Sequence, residues 1–84
     1  MEEFVVYVLF SEKYNKIYVG YTSHLINRFL SHNTLSTKGY TVKFRPWKVV
    51  HIEFFDDKTG ALNREKELKQ GKGRAFIREI ISQL

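Results

Sequence analysis

With 84 residues the chain has room for one domain, 1–84, whose core must be dense in large side chains; seven Phe, five Tyr and one Trp can supply it. The absence of cysteine excludes a disulfide scaffold and a thiolate metal site. Fourteen Lys and Arg against nine Asp and Glu leave a net charge of +5 and a pI near 9.6, which points to an anionic partner. The N-terminal Met-Glu-Glu-Phe lacks the basic start and long apolar run of a signal peptide, and no apolar run approaches spanning length. The expected location is the cytoplasm, with no membrane partner.

Residues 4–10 (FVVYVLF) form an unbroken apolar run rich in β-branched and aromatic residues, which predicts a strand buried on both faces. Asn15 marks a turn, and residues 16–20 (KIYVG) return as the second strand of a hairpin. If Tyr7 faces Tyr18 across the hairpin, both rings share one sheet face, whereas a slip of one residue separates them. Thr22 or Ser23 is the expected N-cap of a helix running to about His32. Its apolar face carries Leu25, Ile26, Phe29, Leu30 and Asn33, with Arg28 and His32 together on the flank between core and solvent.

Residues 33–46 are polar, contain Gly39, Lys38, Lys43 and Arg45, and read as a long loop. Residues 47–55 (WKVVHIEFF) read as a third strand with Val50, Ile52 and Phe54 on one face and Val49, His51 and Glu53 on the other. Asp56, Asp57 or Thr59 can cap a helix over residues 58–70 whose narrow apolar stripe is Ala61, Leu62 and Leu68. Glu65 lies inside that stripe, and a carboxylate on a buried helix face is costly without a partner. Gly71 and Gly73 are expected to break this helix, and a last amphipathic helix runs from about Arg74 to the end. Its Phe76, Ile77, Ile80, Ile81 and Leu84 are expected in the core.

Two tyrosines, an arginine, a histidine and an off-pattern glutamate in a basic chain could together activate a nucleophile, clamp a phosphate and hold a metal. Each residue also has an ordinary alternative: strand core for Tyr7 and Tyr18, a solvated helix position for Arg28, a favourable helix-terminal charge for His32, and a structural ion pair with an arginine such as Arg28 for Glu65. The basic run Arg64, Lys66, Lys69, Lys72 and Arg74 could be no more than a solvated face. His24 and His51 read as structural or surface residues.

Order and spacing favour the chemical reading. Val5-Val6-Tyr7 and Tyr18-Val19-Gly20, Arg28 ten residues after Tyr18, His32 one turn later, and Glu65 in the helix ALNREKELK together resemble the GIY-YIG nuclease superfamily. Within it, the chain is similar to small stand-alone domains akin to the N-terminal nuclease module of excinuclease C. In place of the first-motif glycine stands Val5, and the downstream Asn used by some members has no counterpart.

The resemblance implies an α+β fold, a three-stranded antiparallel sheet flanked by about three helices, and hydrolysis of nucleic-acid phosphodiesters, with DNA repair or recombination as the setting. It implies Mg²⁺ or Mn²⁺ as cofactor and Glu65 as the metal ligand. Tyr18, with Tyr7 close by, would activate water, Arg28 would bind the scissile phosphate, and His32 would assist the base or touch phosphate. Gly20 would let backbone approach the substrate, while Lys38, Lys43, Arg45, Arg64, Lys69, Lys72 and Arg74 would contact nucleic acid. DNA is the expected partner, RNA remains open, and a protein partner would supply target choice. The competing readings are a non-catalytic nucleic-acid-binding or adaptor module, and a protein-interaction domain docking through its C-terminal helix.

Overall fold

The computed structural model describes residues 3–35 and 37–84, with every side chain in those ranges except that of Ile26, so the expected core position of Ile26 lies outside the described side chains. Strands β1 (Phe4–Ser11), β2 (Lys16–Thr22) and β3 (Lys48–Phe55) form one antiparallel sheet in the order β2-β1-β3. Helix α1 (Leu25–Leu30) runs into a π-helical turn (Ser31–Leu35), a 3₁₀ helix (Tyr40–Phe44) precedes β3, and α2 (Lys58–Leu68) and α3 (Gly71–Ser82) close the chain. This is the α+β architecture that the family resemblance implies.

β1 is central, and its apolar run is buried from Val5 to Ser11. One face, with Val6 and Val8, packs with Val19 of β2 against Ala61 and Leu68 of α2 and Ile77 of α3. The other face, with Tyr7 and Leu9, packs on Trp47, with Tyr18, Leu25, Phe29 and Phe44 around it. Burying a side chain such as Leu68 contributes about 1.5–3 kcal/mol. The hairpin turns at Asn15, whose φ of 52° is one that an asparagine tolerates.

The register differs from the expected one by two residues. Tyr7 faces Gly20 and Tyr18 faces Leu9. Because side chains alternate with period two, the even slip keeps both tyrosines on the same face as diagonal neighbours, with ring centroids 6.2 Å apart.

β3 corrects the expected alternation. A bulge opposite Val8 and Leu9 pairs His51 with Val8 but Val49 with Leu9, leaving Val50 as the extra residue. Val50 therefore packs with the Val6–Val8 cluster, and Val49 falls on the side of Ile52 and Phe54.

Three helical expectations also change. α1 is six residues long and is capped by His24 without a side-chain cap; Thr22 Oγ1 instead accepts the His24 N–H at 3.0 Å, just before the helix. The expected loop contains the π-helical turn and the 3₁₀ helix, which are held together by hydrogen bonds described below. Leu30 of the expected apolar face is exposed.

α2 starts as expected, with Asp57 Oδ1 accepting the Gly60 N–H at 2.7 Å. The two late glycines do not separate the helices; both lie in the first turn of α3, which begins at Gly71. The reason is packing: a Cβ on Gly73 would fall on the Glu67 carbonyl and the Leu68 Cα. In an unobstructed helix Gly→Ala is worth about 1 kcal/mol of stability. Here overpacking reverses the sign, and Gly73→Ala is expected to cost about 1–3 kcal/mol. A thermal melt checks this; an equal or higher melting temperature would contradict the close approach.

In α3, which ends at Ser82, Ile77 is buried, whereas Phe76, and Leu84 beyond the helix, are exposed and so leave the expected core set. Among the described residues no helix is long and apolar enough to cross a membrane.

Candidate active site

The hairpin, α1 and α2 meet around the edge strand β2. A surface cavity of about 560 Å³ there is lined by Tyr7, Tyr18, Gly20, Arg28 and Glu65, together with Thr22, Lys58 and others. Residues from both faces of β2 contribute, so the cavity wraps the edge of the sheet and joins a helix from each layer. Glu65 of α2 lines the same cavity as Arg28 of α1 and Tyr18 of β2.

Gly20 has a local reason. A Cβ there would stand 2.6 Å from Tyr7 Oη and 2.8 Å from Tyr7 Cζ, so only glycine lets the Tyr7 ring lie across β2. Tyr7 is 2% exposed and its hydroxyl hydrogen-bonds His32 Nε2 at 2.9 Å. Burial, with the Tyr18 hydroxyl adding to it, pushes the Tyr7 phenol well above its ordinary value, and Arg28 only partly opposes this. Tyr7 is thus held as a neutral phenol. Tyr18 is half-buried in the cavity wall.

His32 does not sit beside Arg28 on the helix flank, which corrects the expectation from helical spacing. It is 8% exposed, while Arg28 is exposed. The wider π-helical turn changes the angular phase after Leu30 and rotates His32 inward. There its ring lies 4.6 Å from that of Tyr18, centroid to centroid, behind the cavity wall.

Its second nitrogen, Nδ1, hydrogen-bonds Thr41 Oγ1 at 2.9 Å. Carbonyls of the widened turn are satisfied by Arg45, which donates to His32 O at 2.7 Å and to Ser31 O at 3.0 Å. Asn33 Oδ1 accepts the Trp47 N–H, and Trp47 Nε1 donates to Thr41 O at 2.7 Å. The stretch expected as a loop is the scaffold that orients His32.

Burial, then the positive charges of Arg28 and Arg45, lower the His32 pKa below its ordinary 6.5. Tyr7 and Tyr18 are the other titratable groups against the ring. The folded state then binds fewer protons here than the unfolded chain just below pH 6.5. The stabilisation is fully present above that value and is lost as pH falls through the folded pKa. Melting temperature is expected to drop as pH falls below 6.5, and His32→Asn to flatten that slope; equal slopes would contradict it. Glu53 acts lower: burial pushes it up, but hydrogen bonds from Arg64 and His51 outweigh burial and hold it below 4.5.

Glu65 has found a partner other than Arg28. Its carboxylate, with the side chain 15% exposed, meets Lys69 Nζ at 3.3 Å one helical turn on. Spacing alone could have identified this pair.

The donor set bears on a metal. Among the described residues no group of three or more His, Cys, Asp or Glu is placed to share an ion. A single half-buried carboxylate facing a roomy cavity suits a hard divalent cation that keeps water and phosphate oxygens as most of its ligands. It does not suit a caged zinc or calcium. Glu65 fits Mg²⁺ or Mn²⁺ in that sense.

Of the expected nucleic-acid contacts, Arg64 is engaged elsewhere. It donates to Glu53 at 3.0 and 3.1 Å and to Glu67 at 3.4 Å, and stacks on Phe76. Arg45 is half-buried on the His32 turn. Lys38, Lys43, Lys69, Lys72 and Arg74 are exposed, and Lys69 and Arg74 share a second, smaller cavity beside Tyr18. His51 hydrogen-bonds Glu53 at 2.8 Å, a structural contact as expected.

Comparison with known proteins bears on this arrangement. Residues 3–77 match the GIY-YIG catalytic domain. A UPF0213 protein of Staphylococcus saprophyticus is 35% identical over 69 residues, covering 82% of this chain and 83% of the relative. One from Haloquadratum walsbyi is 40% identical over 68 residues, covering 81% and 71%. One from Pediococcus pentosaceus is 39% identical over 56 residues, and that match covers 67% of this chain but 59% of the relative's length. The chain belongs to the family of the GIY-YIG catalytic domain, which is generally a nuclease, and hence hydrolase, fold.

Proposed function

We propose that the protein is a divalent-metal-dependent endonuclease that hydrolyses DNA phosphodiester bonds in repair or recombination, in the manner of the excinuclease C nuclease module. A protein partner would supply its target. The observation that carries this is the convergence of Tyr18, Arg28 and Glu65, from three separate elements, on one cavity.

The roles follow from the surroundings of each group. Tyr18 is the phenol exposed to the cavity, so it takes the proton from the attacking water. Its own hydroxyl proton passes to Tyr7, whose ring lies beside its own with centroids 6.2 Å apart, and the Tyr7 proton passes to His32 Nε2. Burial keeps His32 neutral and able to accept it. Thr41 then holds the other ring nitrogen, so the imidazole does not turn.

Arg28 faces the phosphate with a planar donor fork matched to its oxygens. Glu65 holds the divalent ion, which when bound supplies positive charge for the leaving oxygen. Lys69, Lys72 and Arg74, along the α2–α3 junction, and Lys38 and Lys43 hold flanking phosphates as exposed point charges.

Incubation with branched, flapped and single-stranded DNA in Mg²⁺ or Mn²⁺ tests the reading. Cleavage that stops on chelation is expected. Salt-dependent binding without cleavage of any substrate would overturn it in favour of a non-catalytic binding module.

A further inference from the structure

Three aromatic rings meet at the turn end of the hairpin. Phe44 lies edge-on to Tyr14, with centroids 5.6 Å apart at 70°, and 4.9 Å from Tyr40 at 55°. Phe44 is half-buried and anchored on the Tyr7–Leu9–Trp47 core. Tyr14 and Tyr40 are 42% and 50% exposed. Lysines lie over two of the rings: Lys13 Nζ is 5.3 Å from the Tyr14 centroid and Lys16 Nζ 5.3 Å from that of Phe44. Glu12, the acid of that turn, is drawn off to Lys48 at 3.3 Å.

Single exposed aromatics need no explanation. A packed cluster of them with lysines over two of its rings is different, because it offers apolar faces and positive charge together. The chemistry that satisfies both is a polyanion whose units carry flat π faces. Duplex DNA hides those faces in its stack, whereas a single strand offers them to aromatic side chains and its phosphates to lysines.

Position adds to this. Lys16 opens β2 on the same face as Tyr18, Gly20 and Thr22, three residues that line the cavity. Lys16 and Tyr18 stand roughly 7 Å apart along the strand, so a chain leaving the cavity along the β2 edge reaches the cluster directly. We propose that Tyr14, Tyr40 and Phe44, with Lys13 and Lys16, form a stacking platform for unpaired bases of a single strand adjoining the cavity. The inference rests on the proposal that nucleic acid is the substrate.

The test is anisotropy with a labelled oligothymidylate and an abasic strand of equal length, run alongside cleavage of a flapped substrate. Wild-type protein is expected to bind the thymidylate roughly tenfold more tightly than the abasic strand. Tyr14→Ala/Tyr40→Ala loses that difference with an unchanged salt slope, and Tyr14→Phe/Tyr40→Phe keeps it. Both residues are exposed, so the core is untouched.

Equal binding of the two strands by wild-type protein, or an alanine variant as selective as wild type, overturns the platform. If the second result comes with normal cleavage, the nuclease reading stands without the platform. Base-dependent binding lost in the alanine variant, with no cleavage by wild-type protein, supports the platform and overturns the nuclease.

Discussion

Arg28→Ala is expected to lower the rate of phosphodiester cleavage by roughly 10³-fold, with the melting temperature unchanged. The side chain is exposed in the last turn of α1, and among the described residues it forms no ion pair. Removing it therefore breaks no packing and strands no buried charge. What it removes is a guanidinium lining a cavity that the Glu65 carboxylate and the phenols of Tyr7, Tyr18 and Tyr21 also line.

Phosphate oxygens gain charge as water attacks, and a fixed planar donor stabilises that state more than the ground state. Arg28→Lys is expected to recover part of the loss, since an ammonium supplies charge without the fork. Initial rates of the three proteins on one substrate check this. An alanine variant at the wild-type rate would remove Arg28 from the chemistry and leave it as a solvated helix residue.

Much of this arrangement is legible in the sequence, and the exceptions have identifiable physical causes. The run FVVYVLF announces a strand buried on both faces, because seven apolar residues without alternation can hardly face water on either side. Tyr7 and Tyr18 share a face despite a register two residues from the expected one, because parity, not register, decides the face. Glu65 stands out because a carboxylate interrupts an apolar stripe.

What stays hidden depends on long-range partners. No local signal marks the π-helical turn that carries His32 inward; it is supported by Arg45 and by the Asn33–Trp47 contact, both more than a dozen residues distant. Thr41 lies in a stretch with the composition of a loop. The Val50 bulge breaks an alternation that the sequence itself keeps. Gly73 resembles a helix breaker, and only the approach of α3 to the end of α2 gives it another purpose. The basic run from Arg64 to Arg74 divides for the same reason, since Glu53 of β3 captures Arg64 of α2 and leaves Lys72 and Arg74 exposed.

The proposed chemistry depends most on Glu65, the one acid in the cavity wall among the described residues and the only proposed metal ligand. Glu65→Gln keeps the size and shape of the side chain while deleting its charge. The exposed Lys69 loses an ion pair of small worth to stability. A divalent ion supplies several kcal/mol of transition-state stabilisation, equivalent to roughly 10³-fold in rate. The direct measurement is the Mg²⁺-dependent cleavage rate of one DNA substrate by wild-type protein and by Glu65→Gln, both verified as folded by circular dichroism. A loss of roughly 10³-fold or more in the variant is the predicted result; cleavage at the wild-type rate would contradict the site.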